Sequence, residues 1–276
     1  MRDSGLILFL PYAYGFNTRA KTIIHRISFL LYIIAPCLMN IIFMRSFDVD
    51  YGLFVLAFSG MYIVYEIGYI YNDVYTTKRE NNPTRWIKTD ELERYVEEKY
   101  PLLISSRIIY LTSICVSMSL VWNCNIRLYI ICLALLYLFF SLHNYFRGFV
   151  NVFTDGLLNL FKYLTPLIAF AATYSDVRFF VYLLFEVPVA RMIGYVIGKN
   201  YAFHGLAGIN VDVRRVLYYF ILTTVAGIMC IVNYSHIWFL YGVIYMLIYR
   251  IFCLILSKRE GIRNTRWKNG DRNANK

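Results

Sequence analysis

The stretch Tyr51-Gly-Leu-Phe-Val-Leu-Ala-Phe-Ser-Gly-Met-Tyr-Ile-Val-Tyr-Glu66-Ile-Gly-Tyr-Ile-Tyr71, closed by Asn72-Asp73, decides the fold. Apart from Ser59, Glu66 and three glycines it is built of apolar and aromatic side chains. At 1.5 Å per residue, a helix of this length crosses about 30 Å of hydrocarbon. A carboxylate inside such a helix is expensive and points to function. Glu66 and Asp73 lie seven residues apart, two helical turns, and so share a face.

Runs of the same kind recur along all 276 residues, at about 24–44, 51–71, 102–122, 127–142, 150–173, 178–197, 215–234 and 237–256. The chain is 59% hydrophobic and 16% charged, with a mean hydropathy of +0.51. Soluble domains are roughly a quarter charged, and one of this size could not hide so much apolar surface. An ordinary cytosolic enzyme is excluded, as are a disordered chain and a short disulfide-stapled domain. The expected fold is all-α: a polytopic membrane helical bundle of eight spans. Residues 1–256 make one transmembrane domain and 257–276 a basic cytoplasmic tail. No cleavable signal peptide is read ahead of the first span, since Leu6–Leu10 is apolar but short. The segment Leu6–Tyr14 is expected at the membrane interface or as a cap on the bundle.

The net charge of +11 is unevenly placed. Arg2, Arg19, Lys21 and Arg26, the basic residues of the 72–101 loop, Arg147, Lys199, Arg214, Arg215 and the tail fall on one side; Arg45, Arg127 and Arg178 fall on the other. The positive-inside rule puts both termini in the cytoplasm, in agreement with an even number of spans. The charge thus reads as topology, with the bilayer as partner and no nucleic acid. Within the 72–101 loop, Thr89–Lys99 reads as an amphipathic helix with Leu92, Tyr95 and Val96 on one face. The six cysteines read as packing residues and the four histidines form no metal-type pair. Nothing sets the oligomeric state.

Ionisable groups inside the spans are Glu66 in the second, Asp155 and Lys162 in the fifth, and Glu186 and Arg191 in the sixth. Arg107 and Arg250 read as snorkelling to headgroups. If spans two, five and six adjoin, their polar groups line a cavity open to the cytoplasm. The alternative is structural pairing, for example of Glu66 or Glu186 with Lys162 or Arg191.

The richest string continues from the opening stretch: Asn72-Asp73-Val-Tyr-Thr76-Thr77-Lys78-Arg79-Glu80-Asn-Asn-Pro83-Thr84-Arg85. An amide and carboxylates at a helix exit, here Asn72, Asp73 and Glu80, suit a hard cation such as Mg²⁺. Lys78 and Arg79 suit phosphate.

This string resembles the first aspartate-rich motif, N-D-x-x-D-x-x-x-D, of the UbiA-type intramembrane prenyltransferases. Asn72 and Asp73 match its opening pair, Thr76 stands at its next aspartate and Glu80 at its last. Asn82-Pro83-Thr84-Arg85 is similar to the stretch that follows the motif. The family's second motif, D-x-x-x-D near the end of span six, has no counterpart; Glu186, Arg191, Lys199, Asn200 and Asp212 occupy that region. The resemblance implies a nine-span fold; a ninth span would come from the N-terminal segment or from dividing one long run. It also implies transfer of a prenyl group from a prenyl or polyprenyl (di)phosphate. In that reading Asn72, Asp73 and Glu80 hold Mg²⁺, Asp73 and Glu66 are catalytic, and Lys78, Arg79, Arg191 and Lys199 clamp phosphate. Two rivals stand beside it: a non-catalytic lipid-binding protein on the same fold, and a small transporter relaying charge through Glu66, Glu186 and Arg191.

Overall fold

The structure is a computed structural model that describes residues 5–20, 23–45, 48–79, 86–87, 89–122, 124, 126–146, 148–170, 177–199 and 201–260. These residues form helices and turns, with no strand among them. Two compact units emerge, residues 1–192 and 193–276.

The first unit opens with a short strap of helix, α1 (Ala13–Thr18). Then come α2 (Ile23–Phe29) and α3 (Ala35–Arg45), joined by the π-helical turn Leu30–Ile34. The wider turn falls just ahead of Pro36, whose ring and missing N–H disturb the turn before it. Next, α4 (Tyr51–Tyr71) is capped by the Asp50 carboxylate, which accepts the Leu53 N–H at 3.0 Å. It is followed by α5 (Asp90–Glu98), α6 (Tyr100–Val121), α7 (Ile126–Tyr145), α8 (Val150–Ile168) and α9 (Val177–Glu186). The helix α10 (Pro188–Gly198) contains the boundary between the units. The second unit contains α11 (His204–Ala207) and a hairpin of α12 (Val211–Val232) and α13 (Ile237–Glu260).

Among the described residues, seven helical stretches are long and apolar enough to cross a membrane: His25–Phe43, Tyr51–Arg79, Tyr100–Val121, Ile126–Tyr145, Arg178–Gly198, Val211–Val232 and Tyr234–Leu256. They match seven of the eight expected spans. The other, 150–173, corresponds to α8, which has the length but carries Asn151, Asp155, Asn159 and Lys162. Large apolar side chains lie bare on the outward faces, Leu120, Val121, Ile231 and Val232 among them. Exposure on that scale fits an integral multi-pass membrane protein.

Helix α4 is the hub of the first unit, packing against α6, α7 and α8. Gly68 sets its approach to α7, because a Cβ there would stand 2.5 Å from the Phe140 ring. On α6 the only buried residues are Leu103, Arg107 and Met118, a single stripe turned inward at helical period. Thr89 stands at the N-cap position of α5 in extended conformation, though its side chain makes no capping bond. The expected apolar face is used: Val96 is buried, with Leu92 and Tyr95 packed beside it, in a cluster with Leu8, Tyr14, Ile70, Val74, Ile87 and Leu103.

Candidate functional site

The polar groups of α4 divide between two places. One face holds the N-terminal strap. The Glu66 carboxylate is completely buried and accepts the backbone N–H groups of Gly15 (2.8 Å) and Tyr12 (3.1 Å). Arg107, equally buried, donates to it through Nε (3.2 Å) and through Nη2 to the Leu10 carbonyl (3.2 Å). Tyr12 holds a left-handed backbone, φ 68°, which a tyrosine adopts at a cost; the bond to Glu66 and the stacking on Tyr62 (centroids 4.7 Å apart) hold it there. Gly15 is required by space, since a Cβ would meet Tyr62 Oη at 2.1 Å.

Two turns on, α4 widens into the π-helical turn Asn72–Thr76, a local rearrangement often found at functional sites. Asp73 lies in it and is buried. Its carboxylate is gripped by Arg19, whose Nη1 and Nη2 reach one oxygen each, the second at 2.7 Å. The Tyr14 hydroxyl donates to Asp73 Oδ2 at 2.7 Å. Burial, reinforced by the Asp73 charge, pushes that hydroxyl well above the ordinary phenol range, so it serves as a neutral donor. Burial works against the charge on Arg19, but the hydrogen bonds and charge of Asp73 outweigh it and hold the guanidinium above its ordinary value. The Arg19 guanidinium also lies over the Tyr69 ring at 4.4 Å and the Trp86 ring at 5.4 Å.

Another region of the first unit holds a cavity of about 400 Å³. It is walled by α4 (Tyr65, Tyr69, Asn72), α7 (His143, Asn144), α8 (Asp155, Asn159, Lys162) and Arg191, with Arg19 and Trp86 also in the wall. Three cations therefore face one space. Arg191 donates to Asp155 Oδ1 at 3.0 Å and keeps 41% of its side chain exposed. The Lys162 ammonium lies over the rings of Tyr65 (5.2 Å) and Tyr163 (5.7 Å) and makes no ion pair among the described residues. Two buried polar atoms of wall residues, Asp155 Oδ2 and Asn144 Nδ2, have no hydrogen-bond partner among the described residues. Buried polar atoms are normally satisfied, so these two leave unused hydrogen-bonding capacity at the wall.

The expected site residues are distributed as follows. Glu66 and Asp73 share a face, as their spacing predicts, and both hold the strap. Asn72 and Arg191 line the cavity. Lys78 is exposed and pairs with Glu97 at 2.6 Å. Arg79 lines a separate cleft with Tyr71, Tyr75, Tyr137 and Tyr145. Lys199 is exposed just past α10, in the second unit. Glu80 and Arg147 lie outside the described residues. Residues of the expected spans two, five and six line the cavity together with others from span four and the N-terminal segment, but the pairing differs from every combination expected: Glu66 with Arg107, Asp155 with Arg191, and Glu186 with the Asn40 amide at 3.1 Å. Arg107 does not snorkel; it is fully buried because Glu66 faces it. Sequence reasoning missed Arg107, Arg19 and Tyr14 as partners. The signal available was charge conservation: buried carboxylates at 66 and 73 need cations.

The Mg²⁺ expectation rests on Asn72, Asp73 and Glu80, of which Glu80 lies outside the described residues. A hard cation needs open oxygen ligands, and both Asp73 oxygens already serve Arg19 and Tyr14. Among the described residues no three His, Cys, Asp or Glu side chains converge as a metal site. Comparisons with protein-family models, curated proteins and solved structures gave no match.

Proposed function

We propose that this chain is a UbiA-like membrane transferase whose cavity takes the phosphate or diphosphate head of a prenyl or polyprenyl lipid. The observation that carries the reading is the set of three cations, Arg19, Lys162 and Arg191, facing one space, with Lys162 lacking any carboxylate partner among the described residues. A cation held in such a place favours an anionic guest. The motif at Asn72-Asp73 supports the isoprenoid class. In this reading α8 is the fifth of eight spans, both termini are cytoplasmic, and the cavity opens to the cytoplasm while the lipid chain stays among the helices.

In the transfer step the allylic C–O bond breaks and its electron pair leaves with the diphosphate, whose growing charge Lys162 and Arg191 stabilise. The acceptor forms the new bond to carbon and yields its proton to Asp155 Oδ2, the unsatisfied oxygen in the wall. A second reading, a lipid-binding protein without transfer, is favoured by one observation: the motif carboxylate of Asp73 is already committed to Arg19 and Tyr14.

The test is thermal unfolding of the purified full chain with geranylgeranyl diphosphate. A ligand at a hundredfold its Kd stabilises the folded state by about 2.7 kcal/mol. Stabilisation that is lost in Lys162→Gln supports the cavity as the site; no stabilisation of the wild type at saturating ligand overturns it. Release of diphosphate in an acceptor screen separates the transferase from the binder.

A further inference from the structure

In the resemblance, the carboxylate at position 73 belongs to a metal ion. In this chain it belongs to a guanidinium. We infer that Arg19 is a headgroup-binding residue standing in the metal's place, so that the anionic head binds without a divalent cation and the N-terminal strap is part of the ligand site. The inference rests on the reading of the cavity as an anion site.

The bonding of Arg19 carries the argument. A guanidinium offers five N–H groups in one plane. Nη1 spends its two on Asp73 and on Thr18 Oγ at 2.9 Å, and Nη2 spends one on Asp73. Nε–H and the outer Nη2–H remain, with no partner among the described residues. Those two lie side by side on the same edge of the group, the fork that takes two phosphate oxygens at once. Arg19 is itself a lining residue of the cavity, so the proposal assigns this donor pair to the headgroup.

The group is also held still, as a binding residue should be. Asp73 fixes one edge, and the rings of Tyr69 and Trp86 cover its faces. Tyr14, one turn earlier on the strap, holds the same carboxylate, and Glu66 pins the strap's backbone at Tyr12 and Gly15. The strap thereby delivers a positive charge to the exit of α4, where the aspartate-rich motif would otherwise collect one from solution. Tyr14 and Asp73 are positioning residues in this arrangement, and Arg19 touches the ligand.

The experiment measures binding of geranylgeranyl diphosphate to the purified full chain, by calorimetry, in EDTA and in Mg²⁺. Wild type is expected to bind equally in both. Arg19→Gln leaves Asp73 stranded, so the double variant Arg19→Gln with Asp73→Asn removes both charges together and keeps the fold testable by its melting profile. That variant is expected to bind at least about tenfold more weakly, the usual scale for losing a bidentate charged contact. Asp73→Asn alone keeps Arg19 and is expected to lose only a few-fold, whereas a metal ligand at 73 would make it as severe as the double change. Binding that requires Mg²⁺, or a double variant that binds as wild type does, overturns the role of Arg19 while leaving the cavity reading intact. A wild type that binds in neither buffer overturns both.

Discussion

The strap contacts of α4 and the cavity it helps to wall use the same residue types to opposite ends. At the strap, the groups of Glu66 and Arg107 are met by named partners, and the pair is sealed from solvent. In the cavity, Lys162 rests on ring faces, Asp155 keeps one oxygen unmet, and Arg191 is partly open. A saturated polar cluster fixes structure; an unsaturated one in a walled space is where the proposed ligand is placed. Burial of charge alone would have ranked Glu66 first as a functional group. Accounting for every hydrogen bond ranks the cavity first instead.

The comparison can be broken most forcefully at its closed end. Arg107→Ala leaves the Glu66 charge buried without its cation and should cost about 3–5 kcal/mol. Size-exclusion profiles of the solubilised protein should show loss of the folded species. Glu66→Gln with Arg107→Met, which removes both charges, should recover much of it. The open end should behave in the reverse way. Lys162→Gln relieves an ammonium that has no carboxylate partner, so melting should not fall, yet geranylgeranyl diphosphate should bind at least about tenfold more weakly, about 1.4 kcal/mol. Equal loss of fold at both ends would erase the distinction.

Smaller effects sharpen it. Tyr14→Phe removes one hydroxyl from Asp73 and should cost about 1 kcal/mol, read as faster hydrogen exchange across Leu8–Thr18 with little change elsewhere. Lys78→Ala breaks only an exposed pair with Glu97 and should change stability by no more than about 0.5 kcal/mol. A large effect there would mean that the α5 region bears on the site.

The spans were legible because hydrocarbon imposes length and apolarity on each helix separately. The run 51–71 became α4 with the same bounds, and the amphipathic pattern of 89–99 became α5. The expected span weakest in composition, 150–173, is the one whose helix α8 lines the cavity with Asp155, Asn159 and Lys162, and these polar residues dilute the signal that marks a span. That residues of the expected spans two, five and six line one cavity was legible from the ionisable groups they carry. Which charge meets which was not, because pairing depends on helix rotation and on segments distant in sequence. Arg107 stands 41 residues from Glu66, and Arg19 stands 54 from Asp73. The segment Leu6–Tyr14 reads as interfacial or as a cap on the bundle because its apolar residues carry that signal, while what the strap and Arg19 bring to α4 is one arginine, the Tyr14 hydroxyl and two backbone N–H groups.

We propose that the cavity beside α4, and no outward groove, receives the anionic head of an isoprenoid lipid. The most direct test is a photoactivatable geranylgeranyl diphosphate analogue, reactive at the head end, cross-linked to the protein in native membranes and mapped by mass spectrometry. The account predicts adducts on the cavity wall, at residues such as Asn72, His143 and Asn159, competed away by unlabelled ligand and lost in Lys162→Gln. Adducts confined to the exposed faces of α6 and α12, insensitive to competition, would contradict it.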